Sequence, residues 1–309
     1  MKKEYLLAAY TIFCWGTLPA VTKLTLTNIS NMQVLFISSA IATIVLFIYL
    51  CYSGKIRMVP HLSRKDLIQL VALGFLGNFL YSAFYYAGVR TLSSADASVI
   101  NYLWPIIASV CASFVLHEKI AIRGWIAILV SFAGVLIIST KGHGLHIADY
   151  QGVAYCIAGA VCYGIFNVFN KRKGLDQYLC TAIYFAVTML FSGIIFAATE
   201  RFSFMPAKTW AGIIWLGVFI DAIAILTWGL AIQKADVSYL SNFAYATPVV
   251  ATLISYVLLQ EPVERYTVLG MVFVLFGCIL QIMGKRGQPH YESEQDSSEL
   301  RRYTCDSEK

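Results

Sequence analysis

Polar and apolar positions fall in long blocks along this chain: ten apolar runs of similar length are separated by short polar connectors. A helix crossing a bilayer needs about 20 mostly apolar residues. The runs Tyr5–Thr22, Met32–Cys51, Leu67–Gly88, Ser94–Leu116, Ile120–Ser139, Gly152–Phe169, Tyr178–Thr199, Thr209–Ile232, Val237–Leu259 and Thr267–Gly284 each predict one such span. The connectors leave no room for an inserted soluble domain. After Gly284 the pattern stops: the last 25 residues are polar, with six acidic and five basic side chains, and predict a disordered tail over 285–309. Lys2-Lys3 before an apolar stretch mimics a signal peptide, but no A-x-A-like site follows, so the segment is expected to remain as the first span. The fold class expected is an all-α polytopic membrane protein.

Two spans carry a proline near their middle. Asn101-Tyr102-Leu103-Trp104-Pro105 interrupts the fourth, and Ala244-Tyr245-Ala246-Thr247-Pro248 interrupts the ninth. Proline offers no N–H and crowds the carbonyl four residues earlier, so the carbonyls of Asn101 and Ala244 lose their helical donors. In hydrocarbon such a carbonyl is tolerated only against protein or a water-lined cavity. The prolines also expose a repeat. A shift of 143 lays Pro105 on Pro248, Tyr102 on Tyr245, Ser98 on Ser241, Glu118 on Glu261 and Gly134 on Gly277; a shift of 148 lays Trp15-Gly16 and Lys23 on Tyr163-Gly164 and Lys171. Five spans per copy is an odd number, so the second copy enters the membrane upside down: two inverted five-helix repeats, 1–141 and 142–284.

Composition agrees with the blocks. Of 309 residues 59% are hydrophobic and 13% charged, far below the roughly 25% charged of soluble domains. The net charge of +6 is spread through the connectors rather than gathered in a patch, which excludes a nucleic-acid partner. With the N-terminus inside, fourteen basic residues up to Arg286 fall on that side and six (Lys23, Arg90, Lys141, Arg201, Lys208, Arg265) on the other, which places both termini in the cytoplasm. Cys14, Cys51, Cys111, Cys156, Cys162, Cys180 and Cys278 lie in or beside apolar runs and read as packed free thiols. No cofactor or metal motif and no catalytic constellation occurs; without a P-loop the chain cannot drive transport with ATP, so a gradient must do so. His117, His143 and His146 lack the companion ligands of a metal site.

Ten spans in two copies, W-G-x6-K in the first helix and P-x12-E closing the fourth span of each copy resemble the EamA family of the drug/metabolite transporter superfamily, over about Tyr5 to Gly284. Asn101-Tyr102-Leu103-Trp104-Pro105 further resembles its bacterial aromatic-amino-acid exporter branch. The resemblance implies a helical bundle with a central cavity, export of a small metabolite, alternating access by rocking of the halves, and a bacterial inner (plasma) membrane. The first, third, sixth and eighth spans border the cavity in that family. Trp15, Tyr81, Tyr85, Tyr163, Asn167 and Trp228 lie on them, with packing as the commoner role.

Candidate substrate-binding residues are Asn78, Asn101, Tyr102, Trp104, Asp221 and Tyr245. Asp221 sits near the middle of its span, where an acid costs about 2.5–3.5 kcal/mol on insertion scales. It could bind a substrate amine or carry a coupling proton; the alternative is an acid paired structurally with a hydroxyl or freed carbonyl. The shift of 143 puts Asn78 at the equivalent point of the third span. Tyr102 and Tyr245 lie three residues before the two prolines and, with Trp104, could stack on a planar substrate; the alternative for each is packing. Asn101 could satisfy freed backbone or touch substrate. Glu118 and Glu261 are expected to be helix-end residues paired with Lys119 and Arg265 or with loop amides, and Lys23 and Lys171 to snorkel to the interface. Gly270, Gly277 and Gly284, with Ala127 and Gly134, predict close helix packing, or a dimer face. The reading is a transporter for a small molecule, best an exporter of aromatic or other large neutral amino acids, working as monomer or homodimer. Import or exchange of a purine, nucleoside or S-adenosylmethionine type, and a non-transporting assembly role, fit the same pattern less well.

Overall fold

The structure, a computed structural model, describes residues 3–25, 29–92, 94–145, 149–260 and 262–285. The expectations for Glu261, His146 and the tail beyond Lys285 lie outside the described residues. Among the described residues ten helices are long and apolar enough to cross a membrane: α1 Lys3–Thr25, α2 Asn31–Tyr52, α3 Arg64–Val89, α4 Asp96–Val115, α5 Ile122–Thr140, α6 Tyr150–Lys171, α7 Gln177–Thr199, α8 Ala207–Lys234, α9 Val237–Leu259 and α10 Arg265–Met283. Each matches one apolar run to within a few residues, and at several ends capping side chains take over. Ser30 accepts from the Gln33 N–H, Ser63 from Asp66, Asp149 from Gln151, and Asp176 from Tyr178 and Leu179. The Gln151 N–H, with Thr91 beside it, holds the Asp149 carboxyl below the usual carboxylate range.

The most extensive helix contacts form a set of pairs that is unchanged when every helix number is moved by five. α5 lies on α10, α2 on α7 and α4 on α9; α1 meets α8 and α9 as α6 meets α3 and α4; α2 meets α8 as α3 meets α7. The tightest contact, α5 on α10, follows from small residues. A Cβ on Gly134 would lie 2.6 Å from the Gly270 carbonyl, and one on Gly277 would lie 2.8 Å from the Ala127 carbonyl. The glycine stripe is therefore consumed inside the bundle along Gly270 and Gly277. The seven thiols named above are free, and five of them are buried.

Four interruptions break the helical regularity. α4 turns at Tyr102 and Leu103 before resuming at Trp104, and α9 has a single 3-10 turn at Ala244–Ala246 before Thr247. These are the proline breaks. The other two were not expected: α3 passes through a π-helical segment at Phe75–Leu80 and α8 through one at Leu216–Ala224. The first contains Asn78 and the second Asp221, so the two polar positions equated by the repeat share an unusual backbone. Widening the turn leaves a carbonyl poorly served, and hydroxyls serve it: Thr11 of α1 and Thr227 of α8 both reach the Ala224 carbonyl, at 3.1 and 3.0 Å.

Candidate functional site

The break in α4 lies opposite a row of tyrosines on α3, and the half-buried side chains between them outline a hollow. The Tyr102 N–H still finds the Ser98 carbonyl at 3.0 Å, but the Leu103 N–H shortens its reach to Ile100, and Pro105 then opens the second half-helix. Across from this break α3 presents Tyr81, Tyr85 and Tyr86. The Asn101 amide donates to the Tyr81 hydroxyl at 3.2 Å, and Tyr85 faces Ser98. Tyr81, Tyr85, Tyr86, Tyr102 and Asp221 are surrounded by protein at bundle depth. Each nevertheless keeps accessible surface and is only half-buried. A side chain that is both deep and accessible borders an interior space. Asp221 enters it from the π-helical segment of α8, with the Ser38 hydroxyl of α2 facing its carboxyl and Tyr86 within electrostatic reach. Among the described residues no Lys or Arg forms an ion pair with Asp221. The hollow thus offers one carboxyl, several hydroxyls and an amide between aromatic faces.

The second break does not mirror the first. Tyr245 is 0% exposed, packed among Tyr102, Phe132, Phe243, Val249 and Met271, with its ring 6.3 Å from that of Tyr102. Among the described residues its hydroxyl, the Ser241 hydroxyl and both amide atoms of Asn242 have no hydrogen-bond partner, while Thr247 faces the Tyr102 hydroxyl. The expectation of two equivalent breaks around one space is therefore corrected for this conformation: aromatic packing from α4, α5 and α9 closes over the α9 break. Trp104 is likewise sealed, 4% exposed, with Trp15, Tyr163 and Trp228 around it. The Trp228 indole N–H donates to the Asn167 carbonyl oxygen at 2.6 Å, and the Asn167 amide donates to the Tyr163 carbonyl at 2.7 Å. Asn78 is buried with its amide nitrogen unpartnered. Of the six candidates, Asn101, Tyr102 and Asp221 border the hollow, while Asn78, Trp104 and Tyr245 lie behind its surface.

A separate cleft of about 320 Å³ lies where α2 begins and α3 and α7 end, lined by Met32, Tyr86, Arg90, Ile195, Thr199 and Glu200 among others. It contains none of the six candidates and touches the hollow's wall only through Tyr86. Sequence reasoning missed Tyr86, Arg90 and Glu200. The four-residue spacing of Tyr86 and Arg90 on one helix face was the available signal; Glu200 looked like any connector charge.

At the opposite end of the bundle Glu118 takes backbone amides, one of the two partnerships expected, and pairs with Lys171 rather than with Lys119. His117 adopts φ 55°, a left-handed helix end, and the Glu118 N–H reaches back six residues to the Ala112 carbonyl at 3.2 Å. Gln260 repeats φ 55° at the end of α9. This turn swings the Glu118 carboxylate away from Lys119 and onto the start of α9. There it accepts from the N–H groups of Val237 and Ser238 at 2.8 and 3.1 Å, from the Ser238 hydroxyl at 2.8 Å, and from the Lys171 ammonium at 3.0 Å. Lys171 does not snorkel: it also donates to the Ala235 carbonyl at 2.8 Å. Asp236 makes no side-chain cap, so Glu118 serves as the cap of α9 from another helix.

Ten apolar helices around a polar, half-accessible interior define a multi-pass membrane protein of the transporter type. The family model for EamA-like transporters matches residues 2–140 and 150–283, and the chain belongs to that family. A relative from Archaeoglobus fulgidus, named an uncharacterized transporter, is 27% identical over 91% of this chain and 99% of its own length. The aromatic amino acid exporter YddG of Ancylobacter novellus is 25% identical over 59% of this chain and 64% of its own. A solved crystal structure superposes with a TM-score of 0.83 at 20% identity, covering 93% of this chain and 99% of that one, which establishes the likeness of fold. Transport rather than enzymatic conversion is the activity these relatives' names carry.

Proposed function

We propose that this chain is a secondary transporter that exports aromatic or other large neutral amino acids across a bacterial inner membrane. It would work as two inverted five-helix halves, 1–141 and 142–284, with both termini cytoplasmic. The observation that carries the reading is the hollow: Asp221, Asn101 and Tyr102 are deep in the bundle and still accessible, beside a broken helix and π-helical turns that a passive scaffold has no reason to maintain. The carboxyl of Asp221 suits an α-ammonium group or a coupling proton. The tyrosines suit a large side chain, stacking on an aromatic one and covering an aliphatic one. The unchanged pairing of helices under a move of five supports the two-half arrangement. The named activity of the Ancylobacter relative supports the substrate class. The unpartnered hydroxyls and amide around Tyr245 favour a second arrangement in which the α9 break meets the hollow, since burying them bare costs about 1–3 kcal/mol each.

The test is uptake into proteoliposomes of labelled phenylalanine, tryptophan and leucine, with adenine and S-adenosylmethionine in parallel, with and without a pH gradient. Movement of the amino acids that Asp221→Asn abolishes or uncouples from pH is expected. Transport of the nucleobase or sulfonium compound alone overturns the substrate class. Amino-acid uptake unaltered by both Asp221→Asn and Tyr102→Phe removes the hollow from the mechanism.

A further inference from the structure

The cleft between α2, α3 and α7 has a charge arrangement that the transport reading does not use. Arg90 closes one side, one turn beyond Tyr86 on α3; Glu200 closes another at the end of α7. The two are not within ion-pair distance of each other, and among the described residues Arg90 pairs with no acid. Glu200 is held in place from one side: the Ser30 hydroxyl donates to Oε2, leaving Oε1 for another donor. Its backbone N–H completes α7 on the Phe196 carbonyl at 2.9 Å. Between the charges the lining is mixed, with Met32, Ile195 and the ring of Tyr86 beside Thr199; Arg90 itself is exposed at the mouth, and the volume of about 320 Å³ is in the range of small-ligand sites.

A guanidinium and a carboxylate that line one small cleft without meeting each leave room for a countercharge from a ligand. A ligand with one charge would satisfy one and be repelled by the other. A molecule carrying both an ammonium and an anionic group satisfies both at once: its anion takes the fork of Arg90, its ammonium the free oxygen of Glu200, and its hydrocarbon lies on Met32 and Ile195. We infer that this cleft is a binding site for a primary-ammonium zwitterion, with Arg90 and Glu200 as its two recognition residues. Two sources share that chemistry: a free α-amino acid and the phosphoethanolamine head of a lipid. For an amino acid, the cleft deepens the proposed transport function, because Tyr86 joins it to the wall facing Asp221, and that part of the inference rests on the transport reading.

Binding is measured by calorimetry on the purified full-length protein in micelles, using L-phenylalanine, phenethylamine, 3-phenylpropanoate and dihexanoyl phosphatidylethanolamine as probes. The expected result is that a probe with both charges binds and that each single-charge analogue of phenylalanine binds about tenfold more weakly or worse, as the loss of a charge-assisted hydrogen bond implies. Arg90→Gln and Glu200→Gln should each weaken the zwitterion by a similar factor. Phenylalanine binding lost in these variants assigns the site to free amino acids; binding of the lipid alone, lost in the same variants, assigns it to headgroups. Equal binding of the single-charge analogues overturns the inference, as does silence of both zwitterions; the analogue series on the wild-type chain decides this even where a variant folds poorly. Phenylalanine binding lost in Asp221→Asn but untouched in Arg90→Gln and Glu200→Gln also overturns the inference, and leaves the transport reading standing. Cleft binding without any amino-acid uptake in proteoliposomes keeps the site and removes the transport proposal.

Discussion

Removing the Glu118 carboxylate should loosen the end of the bundle where α4, α6 and α9 meet. Its side chain is 9% exposed, that of Lys171 22%, and the carboxylate accepts from four donors. Hydrogen bonds to a charged group contribute about 1.5–3 kcal/mol each, but the four cannot be added: Lys171 keeps the Ala235 carbonyl, and N–H groups at a helix start can turn to water. Breaking a buried pair from one side costs about 3–5 kcal/mol, which is the range expected for Glu118→Ala. Glu118→Gln keeps one acceptor oxygen for the α9 cap and should cost about 1–2 kcal/mol. Lys171→Ala leaves the whole cap in place and should cost less than Glu118→Ala. In the double variant the two changes should fall short of additivity by about 1–2 kcal/mol. Denaturant titration of the purified protein in micelles reads all four values. A loss under about 1 kcal/mol for Glu118→Ala, or strict additivity with Lys171→Ala, would refute the claim that one carboxylate ties the three helices together.

Three further changes test other parts of the bundle. Gly134→Val places a branched side chain where a Cβ already lies 2.6 Å from the Gly270 carbonyl, and backbone cannot step aside as a side chain can; a loss of about 1–3 kcal/mol or failure to fold is expected, and wild-type melting would show that α5 and α10 are not in close contact. His117→Gly relieves a φ of 55° at an exposed helix end and should stabilise by about 0.5–1 kcal/mol, read as a higher melting temperature. Tyr245→Phe removes a buried hydroxyl with no protein partner, so melting should stay equal or rise while uptake falls if the α9 break serves transport. A fall in melting temperature would mean the hydroxyl is satisfied in the folded protein.

How much could be read in advance depended on the range of the interaction. Spans are visible in composition because lipid demands about 20 apolar residues whatever their neighbours are, and all ten were found with edges off by only a few residues. Proline breaks are equally local, since the missing N–H belongs to the residue itself. The π-helical segments around Asn78 and Asp221 were not legible. They coincide with close approaches such as Gly77 against Phe166 and Gly217 against the Ser38 carbonyl, between residues far apart in the chain. Glu118 shows the same limit: a helix-end acid was expected, but not that its partners would be Lys171 and the start of α9.

By itself the sequence determined that this chain spans a membrane ten times, that its fourth and ninth helices break, and that one carboxyl sits deep among apolar residues, because each is a property of a single segment in contact with lipid. Only the tertiary structure decided which break faces open space. It left Tyr102 half-buried against the tyrosines of α3 and buried Tyr245 beneath Phe132 and Met271. A repeat makes the two sites equivalent in composition, but two copies packed in one conformation need not present the same face to the space between them, and that choice rests with the side chains of neighbouring helices.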